Sequence, residues 1–199
     1  IVTLISSVAF LVGVGGSPLM SIRLGEKNER AARQILANCF LLLTVLSAAI
    51  TVIALLMKNH LLMWFGASEA TFPYANEYIT FYLLGTVFAL LATGMNQFII
   101  CQGYAKVGMK SVLIGAVCNI ILDPVFIFVF HMGVRGAAVA TVLSQMASCA
   151  YVLKFLFSER APVRITFGEY DWQIMKRVLL IGLSPFLIIA FDNILIIAL

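Results

Sequence analysis

Long apolar runs separated by short polar stretches dominate the chain. The second run carries no charged residue between Arg33 and Lys58. A helix needs about 20 predominantly apolar residues to cross a bilayer, and backbone polar groups in lipid must be hydrogen-bonded internally. The runs lack the two-residue alternation of membrane β-barrels. The pattern therefore predicts an all-α, polytopic membrane bundle of about six helices, at residues 1–22, 35–57, 78–101, 109–130, 136–157 and 178–199.

Composition excludes a water-soluble domain. Of 199 residues, 62% are hydrophobic and 11% are charged, whereas a soluble domain carries about 25% charged residues. The four cysteines lie far apart within apolar runs, so neither a zinc site nor a disulfide framework is indicated. The sequence contains neither H-E-x-x-H nor a Walker-type loop. We therefore expect no enzymatic activity, no catalytic residue and no cofactor.

The basic residues are distributed unevenly among the connections. If six helices alternate in direction, three connections share one side, and these hold all Lys and Arg except Lys58 and Arg135. The positive-inside rule places such loops in the cytoplasm. The net charge of +4 thus indicates topology in a bilayer, and we expect no nucleic-acid partner.

Two acidic residues, Asp123 and Asp192, lie within predicted spans, where ionisable side chains are costly and usually functional. Asp123 follows Asn119 by four residues, which places both on one helix face. Pro124 has no N–H, so the carbonyl of Ile120 loses its helical partner. These oxygens can converge on a cation, or the carboxylate can take a proton. Alternatively, Asp123 pairs with another helix and only holds the bundle together.

The fifth span carries small residues at every fourth position: Gly136, Ala140, Ser144 and Ser148. Such stripes allow close helix packing, and Thr141 beside them could add a hydroxyl ligand to the site on the neighbouring helix. Other polar or helix-breaking residues are weaker candidates for lining a substrate cleft: Asp192, Asn193, Pro124, Asn96 and Gln97.

Four stretches resemble the multidrug and toxic compound extrusion family, in particular its bacterial branch. They are GGSPLMSIRLGEKNERAAR, MWFGASEATFPYANEYI, FIICQGYAKVGM and NIILDPVFIFVFHMGVRGAAVATVLSQ. The resemblance implies a twelve-helix protein of two lobes, of which this chain covers the second to seventh helices. Residues 1–157 would then form five helices of the N-terminal lobe, 158–177 a cytoplasmic inter-lobe linker, and 178–199 the truncated first helix of the C-terminal lobe.

The resemblance also implies a function. Family members export lipophilic or cationic small molecules across the inner membrane in exchange for H⁺ or Na⁺. The Asp and Asn of their NxxLDP motif and the Thr of GAAxAT contribute to a cation site, and these fall on Asp123, Asn119 and Thr141; Na⁺ is the only metal this suggests. The rest of the same transporter chain would be the partner of this segment. The alternatives are a lipid-linked oligosaccharide flippase of the same superfamily, a lipid-processing membrane enzyme, and a receptor.

Overall fold

Six long helices follow one another along the chain. The computed structural model describes the backbone of residues 2–64 and 71–198, and the side chains of residues 3, 5–64 and 71–191. All six helices are long and apolar enough to cross a membrane, and the described ranges contain no strand. The all-α, six-helix prediction is confirmed. The helices are α1 (Val2–Gly25), α2 (Glu29–Trp64), α3 (Phe72–Cys101), α4 (Ala105–Pro124), α5 (Gly133–Phe157) and α6 (Trp172–Ala198), with a π-helical turn, Val125–Val129, after α4.

Two helices begin well before their apolar spans. The first turn of α2 is capped by Asn28, whose Oδ1 accepts a hydrogen bond from the Ala31 N–H at 3.0 Å. At the start of α6, Asp171 Oδ1 accepts from the Gln173 N–H at 2.8 Å. A side-chain oxygen that accepts a hydrogen bond from a free N–H of the first turn stabilises the start of a helix. A helix can therefore begin in a polar stretch, before its apolar span. The sixth helix therefore begins at Trp172 and not at residue 178.

The central helix is α3, which packs against α1, α2, α4 and α5. Phe98 and Met95 of α3 are fully buried, as are Leu36 and Leu43 of α2 and Val12 of α1. These side chains form the interior of the bundle, and α4 lies at its edge against α5.

The connection between α5 and α6 is packed onto the bundle. Val163 is fully buried, and its N–H donates to Gln102 Oε1 at 2.9 Å. The fully buried Asn38 of α2 accepts, through Oδ1, a hydrogen bond of 2.8 Å from the Asp171 N–H. The start of α6 is thereby attached to α2 and α3.

Two glycines let α1 and α6 cross with their backbones in contact. A Cβ added to Gly15 would lie 2.2 Å from the Val178 carbonyl oxygen, and one added to Gly182 would lie 1.8 Å from the Leu11 carbonyl oxygen. Both positions require the absence of a side chain, because the neighbouring atoms belong to helical backbone.

Replacing either glycine of this crossing should force the two helices apart. We expect Gly15→Ala and Gly182→Ala each to destabilise the protein by about 1–3 kcal/mol, the usual cost of overpacking. Thermal melting of the purified full-length protein that contains this chain measures the effect. The control is Gly25→Ala, where an added Cβ meets nothing within 4 Å. Equal melting temperatures for all three variants would contradict the close crossing.

Candidate functional site

The three residues proposed to bind a cation lie together where α4 meets α5. Asn119 Nδ2 donates a hydrogen bond to Asp123 Oδ1 at 3.3 Å and lies 3.5 Å from Thr141 Oγ1, at the limit of hydrogen bonding. The Thr141 hydroxyl itself donates to the Ala137 carbonyl at 2.9 Å. One amide thus bridges a carboxylate and a hydroxyl on two helices. The role of this cluster in binding a cation stays a prediction.

Small residues allow α4 and α5 to approach closely enough for this cluster. A Cβ on Gly115 would lie 3.4 Å from Ser148 Cβ, and the Ser148 hydroxyl donates to the Ser111 carbonyl at 2.9 Å. A Cβ on Gly136 would lie 2.8 Å from the Phe126 carbonyl of the π-helical turn. The stripe on α5 therefore packs against α4 from Ser111 onward and against its π-helical extension.

At Pro124 the chain changes from one type of helix to another without a break. It is the last residue of α4, and the chain continues directly as a π-helix in which the Phe130 N–H donates to the Val125 carbonyl at 3.1 Å. A missing proline N–H leaves the preceding turn without one hydrogen bond, and π-helical i→i+5 turns, although rare, occur as single turns within α-helices. Asp123 immediately precedes this irregular segment.

A cavity of about 380 Å³ adjoins the cluster. Its wall is formed mostly by small and hydroxyl-bearing residues, and none of its lining residues is Lys or Arg. Asn119 and Thr141 contribute directly to this wall, whereas Asp123 does not line it. The carboxylate is therefore connected to the cavity through the Asn119 amide.

Tyr82 and Gln145 also line the cavity, and sequence reasoning did not identify them. Gln145 Nε2 donates to the Tyr82 hydroxyl at 3.4 Å, and Gln145 Oε1 is buried without a partner among the described residues. Gln145 follows Thr141 by one helical turn, so the face that carries Thr141 continues as polar. That spacing was the available signal.

Two of the weaker cleft candidates, Asn96 and Gln97, lie away from this cavity. Asn96 Oδ1 accepts a hydrogen bond of 3.3 Å from Ser111 Oγ, and Gln97 packs at Gly13 of α1. Neither lines the cavity. The side chains of Asp192 and Asn193 lie outside the described residues.

Comparison with known proteins decides the family. The family model described as MatE matches residues 1–125. The chain belongs to the MatE family. Asn119 and Asp123 lie within the matched residues, whereas Thr141 lies after them in the chain.

Individual MatE relatives resemble nearly all of the chain. The multidrug export protein MepA of Staphylococcus haemolyticus is 29% identical over 181 residues, which are 90% of this chain and 40% of that protein. The FAD transporter of Shewanella oneidensis is 26% identical over 184 residues, 88% of this chain and 41% of that protein. The chain thus spans about 40% of the length of these curated relatives.

Solved structures of this family share the fold. A multidrug resistance MATE family transporter in its outward-facing conformation superposes with a TM-score of 0.89, at 29% identity over 96% of this chain and 43% of that one. An inward-facing structure of such a transporter superposes with a TM-score of 0.87, at 29% identity over 93% of this chain and 43% of that one.

Neighbouring positions on α4 should differ in their access to water. Ala116 lines the cavity, whereas the exposed Val117 does not. In a full-length protein whose native cysteines are replaced by alanine, Ala116→Cys should react readily with a charged, membrane-impermeant thiol reagent. Val117→Cys should react about tenfold more slowly or not at all, because a thiol facing lipid does not ionise readily. Equal labelling of both positions would show that the cavity is not the water-accessible face.

Proposed function

We propose that this chain forms the part of a MatE secondary transporter that binds the coupling ion, in a protein that exports lipophilic or cationic small molecules in exchange for H⁺ or Na⁺. The observation that carries this proposal is the bridging of Asp123 and Thr141 by Asn119 beside a polar cavity. A carboxylate, an amide and a hydroxyl on two membrane helices form a set that suits either ion.

The amide orientation suggests how the ion acts. Asn119 directs its Nδ2 at both partners, so the amide N–H groups occupy positions that a cation would take. Sodium binding would require the amide to turn and present Oδ1 to the ion. If Asp123 is protonated instead, its O–H would donate a hydrogen bond to Asn119 Oδ1, which requires the same turn of the amide. Either ion therefore rearranges the contact between α4 and α5.

Movement at this contact would be transmitted through the π-helical turn that follows Pro124. The Phe126 backbone packs directly against Gly136 of α5, so a shift of α4 changes the fit of both helices. As a hypothesis, this change biases a two-lobed protein between outward and inward openings, which is alternating access.

The export activity is proposed for a longer chain and not for this segment alone. The curated relatives are about 2.3 times as long as this chain. In that protein, α1–α5 would belong to the N-terminal lobe, the segment up to α6 would be the linker between lobes, and α6 would begin the C-terminal lobe. The basic connections would face the cytoplasm from a bacterial inner membrane.

The structure favours this function over the alternatives considered from sequence. A flippase for phosphate-linked sugars needs basic groups in its cavity, and none of the residues lining this cavity is basic. The names of the relatives cited above describe transport, which disfavours a lipid-processing enzyme or a receptor. Because one relative is named an FAD transporter, the substrate has to be tested directly.

Removing the Asp123 charge should abolish export. We expect Asp123→Asn to lose ion-driven ethidium efflux from vesicles that contain the full-length protein, because it can neither exchange a proton nor hold Na⁺ tightly. Na⁺ and pH gradients, imposed separately, identify the coupling ion. The matched control is Glu159→Gln, which removes an exposed carboxylate from the connection after α5. Normal efflux by Asp123→Asn would overturn the proposal.

Substitutions at Thr141 test whether its hydroxyl is a ligand of Na⁺. If Na⁺ is the ion, Thr141→Val should raise the Na⁺ concentration for half-maximal efflux about tenfold, corresponding to about 1.4 kcal/mol, because one oxygen ligand is lost. Thr141→Ser keeps that oxygen and should stay near wild type. The opposite order, with Ser more impaired than Val, would exclude the hydroxyl as a ligand.

A further inference from the structure

A second groove, of about 520 Å³, lies where α2 begins, at the opposite end of the bundle from Asp123. One wall is the first two turns of α2, and the other is the connection that precedes α6. The side chains of Glu29, Arg33, Phe167 and Glu169 contribute to it. The proposed transport function uses none of them.

The groove presents unpaired charges of both signs. Arg30 donates a hydrogen bond of 2.6 Å to the Glu169 carboxylate, and the guanidinium lowers the pKa of that carboxyl. The charges of these two residues therefore cancel each other. Glu29 and Arg33 stand one helical turn apart, yet neither forms an ion pair with the other or with any further residue in 2–64 or 71–191. The Nε of Arg33 is shielded from solvent and has no acceptor among the same residues.

The depth of the groove matches that of lipid headgroups. The apolar run of α2 starts at Ile35, so Arg33 lies about 3 Å and Glu29 about 9 Å beyond it along the axis, at 1.5 Å per residue. The polar layer on each side of a bilayer is roughly 5–8 Å thick. Phe167 is 74% exposed, with its ring 6.4 Å from that of Phe40 and 6.0 Å from that of Phe157. The groove therefore adjoins the hydrocarbon boundary.

We propose that this groove binds the headgroup of phosphatidylethanolamine, with the phosphate at Arg33 and the ammonium at Glu29. Side chains at i and i+4 stand about 5–6 Å apart at Cβ, a separation that the two-carbon bridge between phosphate and ammonium can span. A primary ammonium has three N–H donors for a carboxylate, whereas the quaternary ammonium of phosphatidylcholine has none. An anionic headgroup such as phosphatidylglycerol would leave the Glu29 charge unpaired beside it.

Native mass spectrometry of the full-length protein, titrated separately with phosphatidylethanolamine, phosphatidylcholine and phosphatidylglycerol of equal chain length, tests this inference. We expect several-fold stronger binding of phosphatidylethanolamine than of the other two lipids. Glu29→Gln should remove the preference over phosphatidylcholine, and Arg33→Gln should weaken binding of all three. Arg160→Gln, which removes an exposed cation outside the groove, should change nothing.

Three results would overturn the site. They are equal binding of phosphatidylethanolamine and phosphatidylcholine by the wild type, preferential binding of phosphatidylglycerol, and an effect of Arg160→Gln equal to that of Arg33→Gln. Elution and melting profiles establish that each variant is folded. If Arg33→Gln fails this check, Glu29→Gln decides alone, because its carboxamide keeps the size of the exposed side chain. Transport is not measured, so the outcome is independent of the proposed export function.

Discussion

Contact between helix backbones through small residues is the constraint on which this bundle depends. In lipid, apolar side chains gain little by leaving their surroundings, so helices associate through van der Waals packing. Gly94 of α3 packs against Leu43 of α2 and the Ala9 carbonyl of α1, while Gly85 packs against Val142 of α5. A larger residue at Gly94 or Gly85 would displace the Leu43 or Val142 side chain, and at Gly94 it would also press on the Ala9 carbonyl. The same requirement fixes the α1–α6 crossing and the α4–α5 contact.

The polar groups of α4 lie on the side of the helix that faces α5. Only Gly108 and Ser111 of α4 are buried within the bundle, and α5 supplies its main neighbour. Asn119 and Asp123 can consequently satisfy one another and Thr141 across a single helix pair. The proposed ion site therefore lies outside the interior that surrounds α3.

Features determined by local pattern could be predicted from the sequence, and features determined by tertiary partners could not. The length of the apolar runs predicted the six helices, and the i, i+4 spacing predicted that Asn119 lies beside Asp123. The apolar pattern placed the start of the sixth span at residue 178, because the pattern does not show that Asp171 caps the helix while its own N–H is held by the buried Asn38, 133 residues away. The contact of Gln145 with Tyr82 could not be predicted either, because the two residues are 63 positions apart. The cavity likewise has a wall built from several helices. The π-helix was not predicted either, because Pro124 indicates a lost hydrogen bond but not how the chain continues after it.

The central claim is that Asp123 exchanges its ion when substrate binds. The most direct measurement is ion release from the purified full-length protein on addition of ethidium, followed with a pH indicator for H⁺ and by calorimetry at varied Na⁺ concentration. The account predicts release of one of these ions by the wild type and none by Asp123→Asn. Equal release by both proteins would contradict it and return Asp123 to a structural role.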